Sequence, residues 1–340
     1  MKKLILSCIL SFSVAVSAHA KDSFSVAWSH YAGWEPWGYA DHAGIIDKWA
    51  KKEGIEIDVT LVNDYIESIN LYTSGQFDAC TMTNMDALTI PAVGGVDSEA
   101  VIVGDYSNGN DGIVVKNADS LQDLRSRKIN LVELSVSHYL LARALDTVGM
   151  GERDVTLVNT SDADIAALFT NDPNGAAVTW NPPLMEARQA PGAKVIFDSS
   201  QIPGEILDLM VVKTSTDPRL KRALIGAWYE VLQLVKSGDP KAMEWLAASS
   251  GTNVAGYKAQ LKTTAMFWTP REAIEFVSGP RPRNVMDKVR AFSFEKGLFG
   301  ETASSPDFVG IAFDDDSTMG SKRNVKMRFT SKYMAEAIDK

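Results

Sequence analysis

Short runs of alternating apolar and polar residues recur along the chain, each followed by a stretch with the apolar spacing of a helix. Phe24-Ser25-Val26-Ala27-Trp28 alternates as a strand. Residues 40–52 set Ile45, Ile46 and Trp49 on one side and stop at Gly54, which predicts a helix. Strand 55–62, helix Tyr65–Ser74 closed by Gly75, strand 77–82, helix 87–92 and strand 100–104 follow. This β-α-β-α succession with short connections predicts a parallel sheet with helices on both faces.

Asp105-Tyr106-Ser107-Asn108-Gly109-Asn110-Asp111-Gly112 interrupts the rhythm with turn formers and acids, and is the expected crossover to a second lobe. A second round runs through strand 113–116, helix 121–127, strand 129–133, helix 137–148, strand 155–158 and helix 163–169. Strand Ala176–Trp180, helix Pro183–Arg188 and strands 194–197 and 209–213 complete it. From Pro218 the pattern is mainly helical, with a short strand at 322–328. The expected architecture is α/β, with two Rossmann-like lobes around a cleft and a helical C-terminal tail. Residues 21–105 plus 212–340 are expected to form lobe 1, and 106–211 lobe 2.

One stretch escapes both periodicities. Trp28-Ser29-His30-Tyr31-Ala32-Gly33-Trp34-Glu35-Pro36-Trp37-Gly38-Tyr39 crowds five large aromatics and a carboxylate between two glycines and a proline, which predicts a loop. Loops carried on a rigid scaffold are where binding groups concentrate. Rings beside a carboxylate suit a flat or cationic small molecule through cation–π attraction and charge-assisted hydrogen bonds. Tyr31, Trp34, Glu35 and Trp37 are therefore candidate ligand contacts.

The first twenty residues change the setting. Met1-Lys2-Lys3, an apolar run to Val16 and Ser17-Ala18-His19-Ala20 have the three parts of a cleaved secretory signal, so residues 1–20 are expected to be removed on export to the periplasm. About 320 remaining residues are enough for two hydrophobic cores. Without Lys2 and Lys3 the 34 basic residues become 32 against 43 acidic, a net charge of −11 that argues against nucleic acid or anionic lipid as partner. Cys80 is the one cysteine after Cys8, so no disulfide is expected, and His30, His42 and His138 lack zinc-ligand spacing. No metal or cofactor is expected, and Asp314-Asp315-Asp316 fits a solvated turn.

Several motifs carry a family likeness. Gly75-Gln76-Phe77-Asp78-Ala79-Cys80, Ser137-His138-Tyr139-Leu140-Leu141, Ala176-Ala177-Val178-Thr179-Trp180-Asn181-Pro182 and Leu207-Asp208-Leu209-Met210-Val211-Val212 occur in that order. Together they resemble the periplasmic solute-binding proteins of ABC importers in the nitrate, sulfonate and thiamine-precursor group. The Trp34-Glu35-Pro36-Trp37 segment is similar to the branch associated with urea- or guanidine-carboxylating enzymes. The resemblance implies a type II periplasmic binding fold, a monomeric receptor, and a membrane permease and ATPase as partners.

The chain departs from the anion-binding members at Leu131-Val132-Glu133-Leu134-Ser135, where a carboxylate would repel an anion. Asp86, Asp105, Asp111, Glu133 and Asp208 fall near strand ends facing the expected cleft, with Trp180 as the far-lobe ring, and no Lys or Arg falls in those loops. Paired carboxylates match the N–H fork of a guanidinium, whose faces stack on indole. The expected ligand is guanidinium or a urea-like relative. A quaternary ammonium, a small anion such as taurine or nitrate, and a thiamine-precursor-type enzyme on the same fold are the competing readings.

Overall fold

In the computed structural model the described residues are 22–338, so the signal segment 1–20 lies outside them. The chain enters through β1 (Ser23–Trp28), β2 (Glu56–Leu61), β3 (Ala79–Thr83) and β4 (Ser98–Ser107). It passes into β5 (Asp111–Lys116), β6 (Lys128–Leu131), β7 (Thr156–Asn159), β8 (Ala176–Trp180) and β9 (Ala193–Asp198). It then returns as β10 (Leu207–Lys213), β11 (Thr264–Met266), β12 (Gly310–Ala312), β13 (Thr318–Met319) and β14 (Val325–Phe329).

The first sheet has the order β13-β12-β14-β4-β10-β3-β1-β2, with β11 added on β4, and the second has the order β7-β6-β8-β5-β9. β1 pairs parallel with β2 and β3, whereas β10 runs antiparallel between β3 and β4. Residues 108–110 carry the chain from one sheet to the other, and 199–206 bring it back. Two short crossings of this kind leave hinge closure as the available relative motion of the lobes.

The central strands are buried on both faces, as β3 and β4 show along nearly their whole length. The tail is helical over Pro218–Ser237, Pro240–Ser249, Val254–Leu261, Pro270–Val277 and Arg281–Glu295. The longest of these packs on the helix Ile45–Glu53, with the Trp49 indole donating to Glu230 Oε2 at 2.7 Å.

Four local expectations need correction. The aromatic stretch is a loop only as far as Trp34, because Pro36 sits in the first turn of a helix Glu35–His42, where its missing N–H costs nothing. The single helix expected over 40–52 is divided, because Gly44 takes a left-handed φ of +69° and the next helix begins at Ile45. Helix 121–127 shrinks to the single turn Leu121–Leu124, and strand 129–133 stops at Leu131.

Candidate functional site

The cleft between the sheets holds a small cavity. Three neighbouring strands of the first sheet present Thr83, Asp208 and Asp105 at one level, Thr83 opposite Asp208 and Asp208 opposite Asp105. Directly opposed residues of an antiparallel pair point to the same face, so the two carboxylates are held side by side. From the second sheet, Asp111 at the start of β5 lies opposite Trp180 at the end of β8. The crossing 108–110 thus delivers a third carboxylate and an aromatic ring to the same place. The cavity leaves only ≈ 10 Å³ for the centre of a water-sized molecule and ≈ 240 Å³ of atom-free space. That is room for the centre of about one water molecule, so only the smallest ligands suit the walls as they stand.

Rings make the walls. Tyr31 and Trp34 lie in the turn after β1, Tyr65 opens the helix Tyr65–Ser74, and all three line the cavity with Trp180. Ring centroids are 5.0 Å apart for Tyr31 and Trp34, 5.6 Å for Trp34 and Tyr65, and 5.5 Å for Tyr65 and Trp180. The Trp180 indole crosses from the second lobe and donates to the His30 carbonyl at 3.0 Å, while the Ala32 N–H donates to Asn181 O at 3.3 Å. The lobes are therefore closed over the cavity.

The acids are buried and under-partnered. Asp105, Asp208 and Asp111 are at most 2% exposed. Tyr31 Oη donates to Asp105 Oδ1 at 2.9 Å, and the Asp105 and Asp208 carboxyls lie within hydrogen-bond reach of each other, with no basic side chain beside the pair. Burial pushes the Asp111 carboxyl up to about 7. Asp105 also moves up through burial, and Asp208 moves well up through burial and then the charge of Asp105. No Lys or Arg lines the cavity. Gly33 admits this arrangement, since a Cβ there would lie 2.5 Å from Asp105 Oδ2 and from Tyr31 Cε1.

Asp86 stands one step behind. Tyr65 Oη donates to Asp86 Oδ2 at 2.7 Å and accepts from Thr83 N–H at 2.9 Å, and Thr83 Oγ1 donates to Asp86 Oδ2 at 2.8 Å. Burial pushes the Asp86 carboxyl up to about 6, while Tyr65, Thr83 and the Val136 amide favour its anion.

Three candidates lie elsewhere. Trp37 is 1% exposed and stacks on Trp228 with centroids 4.8 Å apart, in the core behind the loop. Trp37→Ala is expected to lower stability by about 3–5 kcal/mol, the usual cost of emptying an aromatic core position, measured by denaturant unfolding. Glu35 is fully buried, but it accepts from His30 Nδ1 at 2.7 Å and from Ser249 Oγ at 2.5 Å, tying the helix Glu35–His42 to the tail. Glu133 is exposed. β6 ends before it, its N–H donates to Asn159 Oδ1 at 3.0 Å, and Leu134 follows with φ +63°. Arg143, the nearest arginine along the chain after it, pairs with Glu205 at 2.9 Å. Glu133→Gln is expected to leave ligand affinity within about twofold, as exposed charges away from a site do.

Residues 41–202 match the NMT1/THI5-like family. No curated protein matches the chain by sequence. Among solved structures the chain is similar to the periplasmic aliphatic sulphonate binding protein SsuA of Escherichia coli, with TM-score 0.68, 17% identity, and 84% of this chain and 96% of that one covered. The alkanesulfonate-binding protein SsuA of Xanthomonas axonopodis pv. citri bound to MOPS gives 0.67, 16%, 84% and 96%. The periplasmic nitrate-binding protein NrtA of Synechocystis PCC 6803 gives 0.58, 12%, 93% and 98%. The fold is that of the periplasmic binding proteins.

In such a fold a helix N-terminus at the cleft can hold an anion on its free N–H groups. Here the helix Val136–Asp146 begins at the cavity wall, but its first amides are taken. The Val136 amide serves the Asp86 carboxylate, Ser137 N–H donates to Ser135 Oγ at 3.2 Å, and His138 and Tyr139 donate to Ser135 O at 3.0 and 3.2 Å.

Proposed function

We propose that this chain is the extracytoplasmic solute-binding receptor of an ABC importer and that its ligand is a small planar nitrogen cation, guanidinium. The supporting observation is a cavity lined by the buried carboxyls of Asp111 and Asp208, with buried Asp105 beside Asp208 behind its wall, and without a basic side chain. Uncompensated buried carboxylates cost several kcal/mol each, so they shift toward the neutral form unless a cation arrives. Guanidinium answers them with N–H donors directed in one plane and offers its faces to Trp34 and Trp180. Each charged hydrogen bond contributes roughly 1.5–3 kcal/mol and a desolvated cation–π contact up to ~2. A micromolar dissociation constant is about 8 kcal/mol net of the cost of association, so it requires most of the guanidinium N–H groups and both of its faces to find partners.

A small anion, the ligand class named for the sulfonate and nitrate receptors of similar fold, meets carboxylates and occupied amides at this cavity. Quaternary ammonium ions have no N–H to give to the Asp111 and Asp208 carboxyls that line the cavity. Uncharged urea has one feature in its favour, because the buried Trp34 Nε1 has no acceptor among the described residues and a urea carbonyl could take it. Thermal melting against a panel of guanidinium, urea, choline, taurine and nitrate tests the assignment. Guanidinium at submillimolar concentration is expected to raise the midpoint and the others are not. A shift from taurine or nitrate with none from guanidinium would refute it. The signal segment and the permease and ATPase partners belong to the same proposal, as does the receptor's acting without catalysis. No helix among the described residues is long and apolar enough to cross a membrane.

A further inference from the structure

The helix Arg281–Glu295 belongs to the first lobe but leans on the second. It packs on the turn Asn84–Ala87 and on the helix Pro270–Val277, with Met286 fully buried. Its C-terminal end lies instead against the helix Val136–Asp146 of the second lobe, where the Phe292 ring meets the His138 and Tyr139 rings edge-on at centroid distances of 5.9 and 5.1 Å. Just past that end, Lys296 Nζ is 2.7 Å from Glu152 Oε1, and His138 Nε2 lies 2.9 Å from the same oxygen. Farther back along the helix, Lys288 pairs at 2.5 Å with Glu205 of the return crossing, which also takes Arg143 and the Tyr139 hydroxyl. These side chains join the lobes where the backbone does not.

The same contacts lead to the cavity. His138 Nδ1 accepts the Leu134 N–H at 3.1 Å and so holds the left-handed residue, φ +63°, that precedes the cap Ser135 of the helix Val136–Asp146. Val136, the first residue of that helix, lines the cavity, and its amide serves Asp86. Lys296 thus fixes, through Glu152 and His138, a part of the second lobe that covers the ligand. Closure without a ligand needs such help. It brings Asp111 of the second lobe to the same cavity as Asp208 of the first, with no basic side chain in the lining. Buried like charges oppose that approach until a cation arrives.

We propose that Lys296, Glu152 and His138 form an interlobe clasp, a set of positioning residues that touch no ligand yet raise the population of the closed lobes and with it the affinity of the cavity. The apparent affinity of a receptor whose competent form is partly populated scales with that population. A partly exposed ion pair shifts such an equilibrium by up to about fivefold. The shift itself does not depend on the identity of the ligand, whereas its effect on guanidinium binding rests on the function proposed above.

Lys296→Gln in the mature protein tests the clasp by two readouts. Spin labels on Leu61→Cys and Leu168→Cys, exposed positions on opposite lobes, report the lobe separation, and the native Cys80 is buried. In Lys296→Gln the ligand-free distance distribution is expected to move toward longer separations. Stopped-flow tryptophan fluorescence with guanidinium is expected to show release about three- to fivefold faster and association unchanged, because the pair forms only as the lobes close. Adding Lys296→Gln to Glu152→Gln is expected to cost nothing further, and Lys296→Arg to recover most of the parent's release rate. A distance distribution unchanged by Lys296→Gln, or a loss of affinity carried by the association rate, would overturn the proposal. If guanidinium does not bind the parent, the distance distribution alone decides the clasp, so failure of the ligand assignment is distinguishable from failure of this one.

Discussion

Asp208→Asn is expected to weaken guanidinium binding by about a hundredfold while leaving the unliganded protein as stable as the parent or more stable. The two effects have one origin. Asp105 and Asp208 face each other across β4 and β10, where like charges are destabilising, and both are buried. Removing one charge relieves the other. The ligand meanwhile loses a charge-assisted contact of roughly 1.5–3 kcal/mol, which is about ten- to more than a hundredfold in affinity. The new amide can also donate to the Asp105 carboxylate. Calorimetric titration and denaturant unfolding of the variant at about pH 8 measure the two effects. Unchanged affinity, or a gain of nitrate binding with guanidinium silent, would contradict the carboxylate site.

Guanidinium affinity is expected to fall by about a hundredfold between pH 8 and pH 5. A cation binds the ionised carboxyls, so protons compete with it. With Asp111 pushed up to about 7 by burial, the competition begins near neutrality and reaches about tenfold per pH unit below it. Asp86, pushed up to about 6, adds to the lower part of the range. The sign for the unliganded protein is opposite. Carboxyls whose folded pKa is raised hold protons that the unfolded chain releases, so their contribution to stability is fully present below about pH 4 and is lost as the pH rises through about 7. The thermal shift produced by guanidinium should therefore grow from pH 5 to pH 8. Titrations in buffers of different ionisation enthalpy should show proton release on binding near pH 7. An anionic ligand would give the reverse, with affinity rising as the pH falls.

Much of the scaffold is visible in the alternation of the chain, because β8 and the helices Tyr65–Ser74 and Pro183–Arg188 are bounded by glycine, proline or capping residues that act locally. The acids of the cavity are visible for a related reason. Asp105, Asp111 and Asp208 stand at strand positions where apolar residues are otherwise continuous, and a carboxylate there has to answer to something. The aromatic segment misleads because five rings within twelve residues say nothing about direction. The helix begun at Glu35 turns Trp37 into the core against Trp228, while Tyr31 and Trp34, before it, face the cavity. Glu133 misleads because the strand ends two residues earlier than its alternation suggests, and Leu134 takes a left-handed conformation. Tyr65 and Thr83 are the residues that reasoning from the sequence misses. Their local signal is a hydroxyl at a helix start, Tyr65 after the cap Asp64 and Thr83 as a cap itself, and their bond to Asp86 depends on the sheet order that brings them together.

The most direct measurement is a calorimetric titration of purified mature protein, unfolded and refolded to free it of carried ligand, with guanidinium at about pH 8 and then with nitrate and taurine. Saturable one-to-one binding of guanidinium with a micromolar or lower dissociation constant, and no heat of binding from either anion, is expected from buried carboxylates among aromatic walls. Saturable binding of nitrate or taurine with no response to guanidinium would contradict it.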